Sequence, residues 1–176
     1  IMDGIANLFQ GLADISVNAI AIATSSRGQI YQAMVNFFQQ DEWPFYPVEG
    51  QPVLQTAFEG KNGKWACFAR AREQQQQVVF YSICPVNVPE NKLMAVAEFL
   101  TRANSGMILG NFELDFTDGE IRYKTSIDVE GDRVSFALIK RLVYANVTMM
   151  DEYFPGVMSV IYGEVEAPEA IAQIES

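Results

Sequence analysis

The chain has no histidine and only two cysteines, Cys67 and Cys84, among 176 residues. Without histidine it lacks the side chain most often used as a general base near neutral pH and as a zinc ligand, so histidine-dependent triads are excluded. Long apolar runs are missing as well. No stretch approaches the roughly 18 residues that a membrane span requires, and the nearest, residues 15–23, is interrupted by Ser16 and Asn18. Basic residues are scarce, 12 against 22 acidic, which leaves a net charge of −10. Nucleic acid is bound mainly through phosphate neutralisation, so an acidic chain with no basic stripe is not expected to bind it. Asp3 precedes the first basic residue, Arg27, and the basic region of a secretory signal is not seen. A cytoplasmic protein with no membrane partner is expected, and two cysteines on apolar segments in that compartment read as buried thiols.

What is present suits one globular unit. With 49% hydrophobic and 12% aromatic residues, the chain can bury a sizeable core, and one domain over residues 28–176 is expected. Residues 1–27 form an N-terminal extension, read as a short amphipathic helix with Ile5, Leu8, Phe9 and Leu12 at helical spacing, or as a loose tail. The charge is uneven. Residues 1–60 hold one basic and six acidic residues, residues 61–110 six and three, residues 111–176 five and thirteen, so only the middle part is positive.

Periodicity gives the elements. Ile30, Met34, Phe37 and Phe38 make a helical stripe ending near Gln40. Strands follow over residues 53–58, 64–72 and 78–84, joined at Gly60-Lys61-Asn62-Gly63 and at the glutamines 74–77, as an antiparallel meander. Pro89 and Glu90 open a helix through Leu93, Val96, Ala97, Leu100 and Ala103. Another helix runs through Phe136, Ile139, Leu142, Val143 and Val147, Pro155 breaks or kinks it, one more carries Val157, Met158 and Ile161, and Pro168 opens the last. An α+β fold is expected, with a three-strand meander and a two-strand hairpin packed with helices.

The hairpin spans residues 111–128. A two-residue turn at Asp118-Gly119 would pair Phe116 with Ile121, Leu114 with Tyr123 and Phe112 with Thr125 on an apolar face, and Asp115 with Arg122 and Glu113 with Lys124 on a charged one. Glu113 and Asp115 could resemble a catalytic carboxylate pair, but each has a basic partner across the hairpin. Asp128, Glu130 and Asp132 surround Gly131 without calcium-loop spacing. Asn146-Val147-Thr148 matches a glycosylation sequon but falls on a helix and is set aside. No catalytic residue, metal or cofactor is assigned. Cys67 and Cys84 lie on neighbouring strands, opposite each other across a four-residue connection and offset across three.

The meander differs from the hairpin because neither of its faces is polar along most of its length: Trp65, Cys67 and Ala69 alternate with Ala66 and Phe68, and Val78, Phe80 and Ser82 with Val79, Tyr81 and Ile83. One face needs a cover beyond the core, from the chain's own helices or from another protein. Trp65, Phe68, Phe80 and Tyr81 are therefore the candidate partner-binding residues, with strand addition to the sheet edge as one mode.

Along the same order of elements, the segments GKWACFARARE, AEFLTRANSGMILGNFELDFTDGEIRYKTSIDVEG, ANVTMMDEYFPGVMSVIYG and APEAIAQIE resemble the YbjN-like family of bacterial proteins, over roughly residues 30–176. The resemblance implies a regulator of sensory transduction with no catalytic motif. It also implies a fold like that of the type III secretion chaperones, small acidic α+β proteins that dimerise and hold an extended segment of a partner. The expected function is a non-catalytic protein-binding module, chaperone-like or regulatory, and a homodimer. A small-ligand sensor is the alternative, with a carboxylate-based enzyme behind it.

Overall fold

The structure, a computed structural model, describes residues 28–176; the helix or tail expected over residues 1–27 lies outside the described residues. The elements run α1 (Gln29–Gln40), β1 (Phe45–Pro47), β2 (Val53–Glu59), β3 (Lys64–Arg72), β4 (Gln77–Ile83), a 3-10 turn (Glu90–Lys92), α2 (Leu93–Asn104), β5 (Asn111–Leu114), β6 (Ile121–Asp128), α3 (Phe136–Tyr162) and α4 (Ala167–Glu175). The strands form one antiparallel sheet in the order β1-β2-β3-β4-β6-β5. The fold is α+β, as the periodicity implies. Strand β1 was not expected; it ends in Pro47 and lies at a sheet edge, where proline is tolerated. Among the described residues no helix is long and apolar enough to cross a membrane.

The α1 and α3 helices lie on the sheet face formed by Leu54, Trp65, Cys67, Ala69, Val78, Phe80, Tyr123 and Thr125, all buried. Polar links fix their positions. The N-terminus of α1 has no side-chain cap of its own at Gly28. Glu73, in the β3–β4 connection, accepts from the free backbone N–H groups of Ile30 (3.3 Å) and Tyr31 (2.8 Å) instead. At the other end of α1, Asp41 accepts from Tyr144 Oη at 2.6 Å and Trp43 Nε1 at 3.0 Å. The Tyr144 hydrogen bond leads the causes that hold the Asp41 carboxyl below its ordinary value, with Trp43 and Lys140 assisting against its burial. The middle of α3 is tied to the sheet by Asn146, which is fully buried. Its Nδ2 lies 3.0 Å from the carbonyls of Phe80 and Tyr123 and 3.2 Å from Thr125 Oγ1, and Thr125 in turn donates to the Leu142 carbonyl at 2.9 Å. The asparagine of the discarded sequon is thus the bolt between helix and sheet.

Pro155 does not end the helix, so of the break or kink expected from the sequence the break is not found; α3 runs unbroken for 27 residues with Pro155 inside it. Proline removes the N–H that the carbonyl four residues earlier, Asp151, would receive. Here Asn62 Nδ2 donates to that carbonyl at 2.9 Å. The Asp151 carboxylate accepts from the Lys61 and Asn62 backbone N–H groups at 3.0 and 2.8 Å, which fastens the whole β2–β3 turn to the helix. Just beyond, Gly156 lets α3 close on α2 and α4, since a Cβ there would stand 2.5 Å from Phe99.

The hairpin is shifted by two residues from the expected register. Phe112 pairs with Tyr123, Leu114 with Ile121, and Glu113 with Arg122. The loop is longer than the Asp118-Gly119 dipeptide suggests: Asp115 N–H donates to the Glu120 carbonyl, and Gly119 N–H to the Asp115 carbonyl. Asp115 Oδ1 accepts from Thr117 N–H and Asp118 Oδ1 from Glu120 N–H, the side chains closing local turns. Gly119, at φ +76°, is pinned against the segment after β4, where Val88 N–H donates to its carbonyl at 2.8 Å and any Cβ would sit 2.2 Å from the Val88 oxygen. Consequently Asp115 does not face Arg122, and Phe116 is exposed in the loop rather than paired with Ile121. Arg122 instead donates to Glu113 at 2.5 Å, with Lys124 on the other carboxylate oxygen.

The β3–β4 connection has four residues, 73–76, but begins one residue ahead of the glutamines, so Cys67 faces Ser82 and Cys84 lies two positions further along. Both thiols are free and buried. Burial pushes the Cys67 thiol up to about 12 and the Cys84 thiol up to about 11. Labelling by a thiol reagent at mildly alkaline pH is expected to be slow in the native protein and to accelerate on unfolding; fast native labelling at both positions would contradict this packing. The Asn62 clamp gives a second expectation. Asn62→Ala destabilises by about 1 kcal/mol, and the loss shrinks in a Pro155→Ala background, where the helix recovers its own donor for the Asp151 carbonyl. Equal losses in both backgrounds, measured by denaturant unfolding, would show that the clamp is not tied to the proline.

Candidate functional site

The four candidate residues fall on opposite faces of the sheet, because residues alternate along a strand and the pairing registers keep like with like. Trp65 and Phe80 belong to the helix-covered face and are fully buried; Trp65 Nε1 donates to Ser82 Oγ at 2.9 Å and Phe80 stacks on Phe38 with centroids 6.4 Å apart. They are core, and an unmoved fold offers them to no partner. Phe68 and Tyr81 lie directly across from each other in the β3–β4 ladder on the opposite face and are partly exposed. Among the described residues no helix covers that face.

Around Phe68 and Tyr81 the open face is apolar at its centre and basic at its rim. Val53, Ala66 and Ile83 extend the centre, and with Val48, Gln51, Arg70, Glu120 and Arg122 they line a shallow trough of about 590 Å³. Arg122 lies over the Tyr81 ring at 5.1 Å, within cation–π range. Arg70 is exposed, and its side chain makes no hydrogen bond or ion pair among the described residues. Lys124 and Arg122 share Glu113; burial opposes its ionisation, but the two cations outweigh that and its carboxyl is lowered. Arg72 is occupied by Gln77, which itself reaches Asp128. Arg70 and Arg72, from the positive middle part of the sequence, thus share this face with Arg122 and Lys124 of β6.

The remaining sequence candidates are engaged elsewhere. Asp115 closes its turn, and its carboxyl is lowered chiefly by the Thr117 backbone N–H. Asp128 accepts from the Gln77 side chain and the Glu130 N–H, and Asp132 from the Arg133 N–H, as turn-capping groups. Strand addition finds little room. On the β5 edge both the N–H and C=O of Phe112 are taken by the Asn104 side chain, at 2.7 and 3.0 Å; the opposite edge, β1, is three residues long and ends in Pro47. Sequence reasoning missed Arg70, Ile83 and Arg122 as parts of the site. The signal was available in strand parity: Arg70 is two residues from Phe68 and Ile83 two from Tyr81, so each must share its neighbour's face.

Comparison with known proteins agrees with this architecture. No curated protein matches the sequence. Among solved structures, the crystal structure of YbjN from E. coli, described as "a putative transcription regulator", superposes with a TM-score of 0.54 at 12% identity, covering 74% of this chain and 87% of that one. A likeness at that identity concerns the fold alone. The HopA1-SchA chaperone-effector complex (16% identity, 68% of this chain and 88% of that one) and the ExsC-ExsE complex (8% identity, 68% and 86%) each reach a TM-score of 0.43, too low to bear an argument. The family model for YbjN, described as "Putative bacterial sensory transduction regulator", matches residues 32–158. That match runs from the start of α1 across all six strands and most of α3, and on it the chain belongs to the YbjN family.

Proposed function

We propose that this chain is a non-catalytic protein-binding module, chaperone-like or regulatory, which works in the cytoplasm as a homodimer. Residues 28–176 form its one domain and residues 1–27 an extension. The bound segment is an apolar stretch of a partner protein carrying acidic residues, and it lies across the open sheet face rather than adding to an edge. The observation that carries this reading is the pairing of Phe68 with Tyr81 beside Arg70, whose side chain is unpaired among the described residues. Such a site combines the features that dominate protein interfaces: aromatic anchors at the centre and arginine at the margin. An acidic segment is favoured because Arg70 and Arg122 give this face a positive rim on a molecule of net charge −10. The family description as a sensory-transduction regulator supports a role through contact with another protein.

The small-ligand alternative is less well supported, because a small molecule is held in a site that buries most of its surface, whereas this trough is shallow and open. The carboxylate-enzyme alternative is less well supported, because the pair weighed for it, Glu113 and Asp115, is engaged by cations and backbone.

Capture from native lysate followed by titration of the captured species tests the reading. Phe68→Ser and Arg70→Glu are each expected to weaken binding about tenfold or more, while Arg102→Ala on α2 leaves it unchanged and raised salt weakens it. Equal binding by all variants, or a melting temperature raised by a metabolite and not by any protein, would move the assignment away from this face.

A further inference from the structure

The exposed side of α3 carries a stripe that neither the core nor the open sheet face uses. Arg141, Ala145, Thr148 and Glu152 recur at three- and four-residue intervals, which places them along one line of the helix, on the side away from the buried Leu142, Asn146 and Met150. Tyr144 and Met149 flank them. Arg141 and Glu152 are exposed, and neither side chain makes a hydrogen bond or ion pair among the described residues. Eleven residues of helix, about 16 Å, keep them from neutralising each other. Beside the stripe the loop at 105–110 presents Ile108 at 92% exposure and Leu109 at 59%. This loop is anchored, since Tyr123 Oη donates to the Leu109 carbonyl at 2.5 Å. A groove of about 740 Å³ runs between the loop and the helix.

We infer that this stripe is a two-fold interface between two copies of the chain, with their α3 helices antiparallel. The inference rests on the homodimer proposed above and locates it. Arg141 and Glu152 lie equally far from the point midway between Asn146 and Val147, and so do Ala145 and Thr148. A two-fold axis through that point sets Arg141 against Glu152 of the second copy at both ends of the contact, with the smaller Ala145 and Thr148 facing each other across its middle. An isologous interface needs this kind of self-complementary patch. A second copy is the occupant that the charges select: both lone charges on the stripe are answered at once by an identical stripe turned end for end, and the acidic segment proposed for the sheet face would meet Glu152 unfavourably. Ile108 and Leu109 add apolar area to one flank of the contact.

Sedimentation of the full chain over a concentration range, at low salt, tests the arrangement, with circular dichroism to show that each variant is folded. The wild type is expected to dimerise. Arg141→Glu and Glu152→Arg should each weaken the dimer about tenfold or more, and the double variant Arg141→Glu/Glu152→Arg, which exchanges the charges, should regain most of the affinity. Ile108→Ser should weaken it without affecting the charge exchange. A dimer insensitive to both single reversals would place the interface elsewhere and overturn this inference while leaving the homodimer intact. Weakening by both singles with no recovery in the double would overturn the antiparallel register. A wild type that stays monomeric would overturn both the inference and the homodimer, and binding at Phe68 and Arg70, scored separately, would be untouched by any of these results.

Discussion

The architecture depends on holding one long, imperfect helix flat against the centre of the sheet. Apolar contact alone would let α3 slide or rotate, because hydrophobic burial has no direction. Asn146 supplies the direction. It sits among Phe80, Tyr123 and Thr125, on the neighbouring inner strands β4 and β6, and a buried amide left without those acceptors would be costly. Pro155 is the weak point further along, and the β2–β3 turn repairs it by lending Asn62 to the orphaned carbonyl. The turn and the helix therefore position each other, and Trp65 is shut into the core beneath them.

That one-sided fastening decides which face of the sheet is left over. Both faces of the meander are apolar enough to be a core, and once α1 and α3 are fixed over Trp65, Cys67 and Phe80, the face of Phe68 and Tyr81 has no helix among the described residues to cover it. The arginines at its rim keep it wetted, which limits aggregation of an exposed aromatic surface while leaving it able to receive an oppositely charged chain. The sheet edges are guarded differently. Asn104 occupies the hydrogen-bonding groups of Phe112 on one side and prolines shorten the other, so contact across the face is favoured over growth of the sheet.

Much of this was legible from residue order. Period-two alternation assigned the residues of β3, β4, β5 and β6 to their faces, and the helical stripes of α1, α2 and α3 named many of the buried side chains, because burial selects for periodicity whatever the partner element is. Phe136, however, is exposed, and the buried Tyr31, Val35 and Phe99 were not named. The α+β class followed from the order of those periods. The hairpin shows where such reading stops. A shift of two residues leaves each side chain on its own face, so the apolar pattern cannot distinguish pairing Phe112 with Thr125 from pairing it with Tyr123; the choice is made by Val88, which grips Gly119 from a segment some thirty positions earlier.

The sequence alone therefore determined which residues alternate, which stripes are apolar and where positive charge is concentrated, all local properties of neighbouring side chains. The tertiary structure decided the rest: that α3 continues through Pro155, because Asn62 arrives from another element; that the β3–β4 ladder sets Cys67 against Ser82; and that Trp65 and Phe80 are enclosed while Phe68 and Tyr81 are not. Each of these turns on a donor, an acceptor or a cover brought from far along the chain, and pattern within a segment carries no record of what will be packed against it.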